Sequence, residues 1–131
     1  MSDASVEIVK RLMEAFYARD TQTALSILDR DMTFESALVE AKTYRGIGEF
    51  AQYRRDVDEA WGEWRSEEDR FVPVDQARVL HLYRIVGRGR GSGVPVAQNI
   101  AILWTLRDGR VLHGKVYLDQ REACRAAGLD G

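Results

Sequence analysis

Residues 94–119 constrain the fold more than any other stretch. They read as two long strands, 94–106 and 111–119, joined by Arg107-Asp108-Gly109-Arg110. Asp-Gly is the dipeptide that a two-residue hairpin turn prefers, because both central residues need positive φ. The first strand is apolar on both faces. Ala97, Ala101 and Leu103 share one parity, and Val96, Ile100, Ile102, Trp104 and Leu106 share the other. A strand of an antiparallel sheet that is apolar on both sides must be covered twice. Helices of the same chain can supply one cover, and in a chain of 131 residues a second subunit is expected to supply the other.

That length predicts one domain spanning residues 1–131 around a single core. Nineteen basic against 21 acidic residues leave a formal charge of −2, so no global attraction to nucleic acid or to an anionic membrane is expected. The single cysteine, Cys124, excludes an internal disulfide and a cysteine-based metal cluster, and suits a reducing cytoplasm. The opening Met-Ser-Asp-Ala-Ser-Val-Glu lacks the apolar core of a signal peptide, and no apolar run approaches a membrane span. A soluble cytoplasmic protein is the expectation.

Along the chain, Val6, Val9, Met13, Phe16 and Tyr17 form the stripe of an amphipathic helix over residues 5–19. Asp20 is placed to cap a second, shorter helix bearing Ala24, Leu25, Ile27 and Leu28. Residues 32–36 read as a short strand with Phe34 inward, followed by a loop. Residues 46–61 read as a third helix with Ile47, Phe50, Tyr53, Val57 and Trp61 on its buried side. The period then becomes extended. Residues 64–74 form a charged, partly exposed strand, and residues 77–86 a more apolar one with His81 and Tyr83 on one face. Residues 87–93 form a connecting loop, and 120–127 a closing helix ended by Gly128. Helices first and a strand meander after them predict an α+β layout, with helices on one sheet face.

The loop Gly87-Arg-Gly-Arg-Gly-Ser-Gly93 lacks both the Gly-Lys-Ser/Thr ending and the Gly-x-Gly-x-x-Gly spacing of phosphate loops, and it leads into a strand. It reads as a flexible hairpin loop with two solvated arginines. His81 and His113 lie on different strands with no third ligand at metal spacing, so no metal site is expected. Cys124 reads as a small buried residue. Asp119 has two readings. A carboxylate at the end of a core strand can face an apolar pocket, where desolvation raises its pKa toward that of a base. Alternatively, Asp119-Gln-Arg-Glu122 has the spacing of a capping box that opens the last helix. Tyr17, Tyr53, Tyr83 and Tyr117 each carry a hydroxyl that a cavity or a structural hydrogen bond could use. Asn99 lies in an otherwise apolar strand, so its amide either pairs across the sheet or lines a polar pocket. His81 carries the same two readings.

The runs Met13-Glu-Ala-Phe-Tyr-Ala-Arg-Asp20, Asp31-Met-Thr-Phe-Glu35, Tyr44-Arg-Gly46, and the ending from Arg107-Asp-Gly-Arg110 through Tyr117-Leu-Asp-Gln-Arg-Glu-Ala-Cys124 to Leu129 together resemble the SnoaL-like branch of the nuclear transport factor 2-like superfamily. The resemblance covers nearly the whole chain. It implies a cone: a curved antiparallel sheet wrapped around helices, with a pocket in its mouth and homodimers packed through the outer sheet face. It also implies aldol cyclisation, ketosteroid isomerisation, dehydration or epoxide hydrolysis as candidate activities, although many members carry no assigned reaction.

Asp119 stands where related polyketide cyclases carry a base. Ser36 stands where steroid isomerases carry theirs, which speaks against that mechanism. The resulting expectation is a cofactor-independent pocket protein acting on a small apolar, carbonyl-bearing metabolite. Asp119 would abstract a proton, and Tyr117, His81 or Asn99 would donate to the enolate oxygen. Tyr17, Phe34, Tyr53, Trp61 and Tyr83 would line the substrate pocket. The rivals are a non-catalytic binding or dimerisation module, and a structural dimer whose pocket is filled by Phe34, Trp61, Tyr83 and Trp104.

Overall fold

A computed structural model describes residues 2–36, 38, 41–88 and 91–129. The order is α1 (Ser2–Ala18), α2 (Thr21–Ile27), β1 (Leu28–Ser36), β2 (Lys42–Arg45), α3 (Gly46–Trp61), β3 (Trp64–Pro73), β4 (Arg78–Arg88), β5 (Pro95–Arg107), β6 (Arg110–Tyr117) and α4 (Gln120–Ala126). The six strands form one curved sheet in the order β2-β1-β6-β5-β4-β3, with α1 and α3 packed against its inner face. This is the expected α+β cone.

The hairpin forms as its turn chemistry predicts. Arg107 pairs with Arg110, and Asp108 and Gly109 take φ of 52° and 77°. Positive φ at both positions matches the right-handed twist of the flanking strands. Gly109→Ala forces a Cβ into that region and is expected to cost about 1–2 kcal/mol. Urea unfolding of the variant checks this, and an unchanged midpoint would refute it.

Two features were not legible in the sequence. The stretch read as a loop after β1 contains β2, which pairs antiparallel with β1. Strand β1 in turn pairs parallel with β6, so the meander ends in a parallel contact between strands distant in sequence. The loop between β4 and β5 is shorter than expected, because β4 runs on through Arg88, whose Nη1 donates to the Gly93 carbonyl at 3.0 Å. Gly89 and Arg90 of that loop lie outside the described residues.

The two faces of β5 are covered differently from expectation. Ile100, Ile102, Trp104 and Leu106 pack inward in the main core. On the outer face, Leu80, Leu82 and Ala101 are buried together with Ala123 of α4. The second cover is therefore supplied at least in part by the chain's own last helix. Elsewhere on the outer face Leu103, His113 and Tyr117 are half-buried, and Arg84 and Asn99 are exposed. The parity around Tyr117 depends on an irregularity in β6. Thr105 pairs with His113 but Leu106 pairs with Val111, so Leu112 is the extra residue. Val111, Gly114 and Val116 therefore turn inward, and Tyr117 faces outward beside Ala101.

Candidate functional site

The inner face of the sheet and the helices enclose an aromatic recess. Its walls include Phe16 and Tyr17 of α1, Phe34 of β1, Phe50 and Tyr53 of α3, Trp64 of β3, Tyr83 of β4 and Trp104 of β5. The recess encloses about 350 Å³ counting its open mouth, but only about 20 Å³ of it admits a water. The rings fill it by packing on one another: Phe34 lies 4.7 Å from Tyr53, 5.0 Å from Phe50 and 5.5 Å from Trp104. Arg54 lies over two of these walls, Phe16 and Trp64, donates to the Phe16 carbonyl, and pairs with Asp58. Asp58 also accepts the Trp64 indole N–H at 2.7 Å.

Beside this recess sits a polar constellation. His81 is fully buried on the inner face of β4, and its Nε2 lies 2.8 Å from Asp69 Oδ2. Tyr17 donates its hydroxyl to the same carboxylate oxygen at 3.4 Å. The imidazole stacks on Phe71 at 4.3 Å and on Tyr83 at 4.6 Å. Tyr17 and Tyr83 are also walls of the recess, so the charged group stands one ring behind the apolar space.

A bulge delivers Asp69. Glu67 pairs with Arg84 and Arg70 with Leu82, so Glu68 and Asp69 together stand opposite Tyr83 alone. Glu68 absorbs the extra residue at φ 57°. This shift turns Ser66 and Phe71, of opposite parity in sequence, to the same face.

Burial pushes Asp69 up, but hydrogen bonds from His81, Ser66 and Tyr17 outweigh it and hold the carboxyl below the usual range. Burial pushes His81 down, against the pull of Asp69. The pair therefore rests as a carboxylate and a neutral imidazole. With Asp69 ionised, the shared hydrogen sits on Nε2 and donates to Oδ2, which leaves Nδ1 a bare lone pair. Burial also raises the three tyrosines: Tyr53 to about 12 despite its Ser36 hydrogen bond, and Tyr17 and Tyr83 well above the ordinary value. All three hydroxyls stay protonated at neutral pH.

These shifts fix a pH dependence. Unfolded His81 takes up a proton near its ordinary value of 6.5, and folded His81 does so only at lower pH. Its contribution to stability is thus present above pH 6.5 and is lost as the pH falls below it, by at most about 1.4 kcal/mol per pH unit for one proton. His81→Gln should flatten that part of the profile. Equal slopes in the two proteins by urea unfolding would contradict it.

The sequence-derived candidates separate into two groups. Tyr17, Phe34, Tyr53 and Tyr83 line the recess, and His81 stands behind Tyr83. Trp61 packs against the core from the end of α3 but is not among the residues lining the recess. Asn99 is exposed, opposite Arg84, in an external groove with Gln120. Its amide faces water because Asn99 has the outward parity of Ala101. Tyr117 lies on the outer face under the Lys115 ammonium. Asp119 is exposed and accepts the Arg121 backbone N–H at 2.9 Å, which makes it the N-cap of α4. Of its two readings, the structure shows the cap, and the carboxylate lies away from the recess. Ser36 is buried and donates to the Tyr53 hydroxyl at 3.3 Å.

Asp69 escaped the sequence reading, since the acidic run 67–69 looks solvated until the bulge aligns it with His81. Among the described residues, no group of three His, Cys, Asp or Glu side chains could hold a metal ion, and no helix is long and apolar enough to cross a membrane.

Comparison with known proteins agrees with this architecture. No match was found among curated proteins. A nuclear transport factor 2-like protein from Burkholderia xenovorans superposes with a TM-score of 0.80 at 22% identity, over 97% of this chain and 98% of its own. A protein from Xanthomonas campestris provisionally described as a polyketide cyclase gives 0.75 at 17% identity, over 95% and 97%. TerC, co-crystallised with polyporic acid, gives 0.75 at 17% identity, over 95% and 98%. At these identities the likeness establishes the fold alone. The sequence profile of the SnoaL-like domain matches residues 9–113, most of the chain, and the protein belongs to that family.

Proposed function

We propose that this protein takes a small apolar, carbonyl-bearing molecule into the aromatic recess and moves a proton on it. His81 acts as the base, and Asp69 orients the imidazole and stabilises the imidazolium. The observation that carries this reading is the buried neutral imidazole held at 2.8 Å by an ionised carboxylate, next to two walls of the recess. A neutral imidazole with one nitrogen fixed by a carboxylate presents its other nitrogen as a base. Tyr17, which is protonated and shares Asp69, holds the carboxylate in place. Asp119 and Tyr117 have no part in this reading, because one caps α4 and the other faces outward. TerC, with its polyporic acid, supports the use of such a cone for an organic ligand.

The test is deuterium incorporation into cyclohexanone by the protein in heavy water. His81→Gln is expected to slow protein-dependent exchange by about 100-fold. An equal rate in the variant would remove His81 from the role.

The tight filling of the recess favours a second reading, a non-catalytic module, because anything larger than a water must displace rings to enter. Absence of exchange above background in the native protein would favour it. In either reading we place a second copy of the chain on the half-buried outer face around Leu103, His113 and Tyr117. Light scattering should give twice the chain mass, and Leu103→Glu should halve it.

A further inference from the structure

The outer face of the sheet carries a second chemical array, on the side away from the recess. Thr33 and Glu35 stand two residues apart on β1, so both point outward while Met32 and Phe34 are buried. His113 pairs with Thr33 across the parallel contact of β1 and β6, and the extra residue Leu112 turns it to the same face. Thr33 Oγ1 lies 2.7 Å from His113 Nδ1, and His113 Nε2 lies 3.1 Å from Glu35 Oε2. A reagent can reach all three side chains. Thr33 is half-buried, and His113 and Glu35 are 32% and 44% exposed.

The array has a direction. A carboxylate can only accept, so Glu35 takes the hydrogen of the neutral imidazole at Nε2. Nδ1 is then the acceptor, and the Thr33 hydroxyl donates to it. A hydroxyl within about 2.6–3.2 Å of a base that a third group orients is the geometric mark of an activated nucleophile. Such an array is recognised by roles and distances, whatever the order of its members in the chain. On the other flank, Arg45 of β2 pairs with Thr33 in register and is exposed, so a cation shares that face.

We propose that Thr33 is an acyl acceptor, with His113 as its base and Glu35 as the positioning residue, and that its substrates are activated esters and thioesters. Thr33 Oγ1 bonds to the acyl carbon, and the bond from that carbon to the leaving oxygen or sulfur breaks. The leaving group departs with the electron pair. The hydroxyl proton passes to Nδ1 and from there to the leaving group. Arg45 meets the charge that develops on the acyl oxygen. Nothing is oxidised or reduced, and the product is an ester at Thr33. This activity is independent of the recess and of His81.

The test incubates p-nitrophenyl acetate with the native protein and maps the acetyl group by peptide mass spectrometry. One acetyl group on Thr33 is expected, lost in Thr33→Val and retained on the hydroxyl of Thr33→Ser. His113→Gln should form it about 100-fold more slowly. Glu35→Gln should slow it as well, and NMR of the ring nitrogens separates positioning from folding. The His113 hydrogen should sit on Nε2 in the native protein and lose that preference in Glu35→Gln. Acetyl groups confined to Lys115 or other amines, an equal rate in His113→Gln, or a native His113 with its hydrogen on Nδ1 would each overturn the proposal. A second copy on this face would cover Thr33, so Leu103→Glu is assayed beside the native protein. Faster acetylation of Thr33 in that variant supports both placements. Equal rates, with the Thr33 ester present in each, support the acceptor and remove the second copy from this face. No ester in either protein overturns the acceptor alone.

Discussion

Phe34→Ala is expected to lower stability by about 3–5 kcal/mol. Phe34 is 1% exposed and touches three rings from two other elements, Phe50 and Tyr53 of α3 and Trp104 of β5. The cost combines the lost burial of the ring with the void left behind, since neighbours on a rigid sheet and helix collapse only partly. The same substitution widens the recess where Phe34 is a wall. Two measurements check this. Urea unfolding should show the loss, and a small apolar molecule such as benzene should raise the variant's melting temperature more than that of the native protein. A loss under about 1 kcal/mol would mean that the rings repack to fill the space.

Gly114→Val is expected to rank next, at about 1–3 kcal/mol or more, through the opposite fault. A Cβ at Gly114 would lie 2.6 Å from Trp104 Cζ3 and 2.7 Å from Phe34 Cδ1. Both are buried ring atoms with no free direction to move, because the two rings already lie against each other. The glycine is required by that close approach and not by its backbone angles. Gly114→Ala should show a smaller loss of the same sign, and near-UV circular dichroism should report the disturbed Trp104. A native-like spectrum and midpoint in both variants would show that the rings yield. The pair Phe34→Ala and Gly114→Val should be less damaging together than the sum of the singles, since one removes what the other strikes.

The sequence and the structure agree wherever the signal is local. Helix α3 runs over residues 46–61 as read, because Phe50, Tyr53 and Val57 repeat at helical spacing on one buried face. The caps at Asp20 and Asp119 also follow from local chemistry, a short acidic side chain placed to meet the free N–H groups of the helix start. The Asp108-Gly109 turn is the third such case, since its backbone angles select those residue types. Tyr17, Phe34, Tyr53 and Tyr83 could be assigned to the recess because periodicity gives the inward face of each element.

What remained hidden depends on pairing between strands. Strand β2 is four residues long, too short for a period of its own, and it exists by hydrogen bonding to β1. Bulges in β3 and β6 each reverse parity partway along a strand, which brought Asp69 beside His81 and carried Tyr117 to the outer face. A bulge inserts one residue without leaving a mark in composition, so only the partner strand reveals it. Sequence by itself determined the helices and their buried faces, the longer strands, the hairpin and the helix caps, because each rests on contacts within a few residues. Tertiary structure alone decided which carboxylate meets the buried histidine, because that contact is set by register across the sheet.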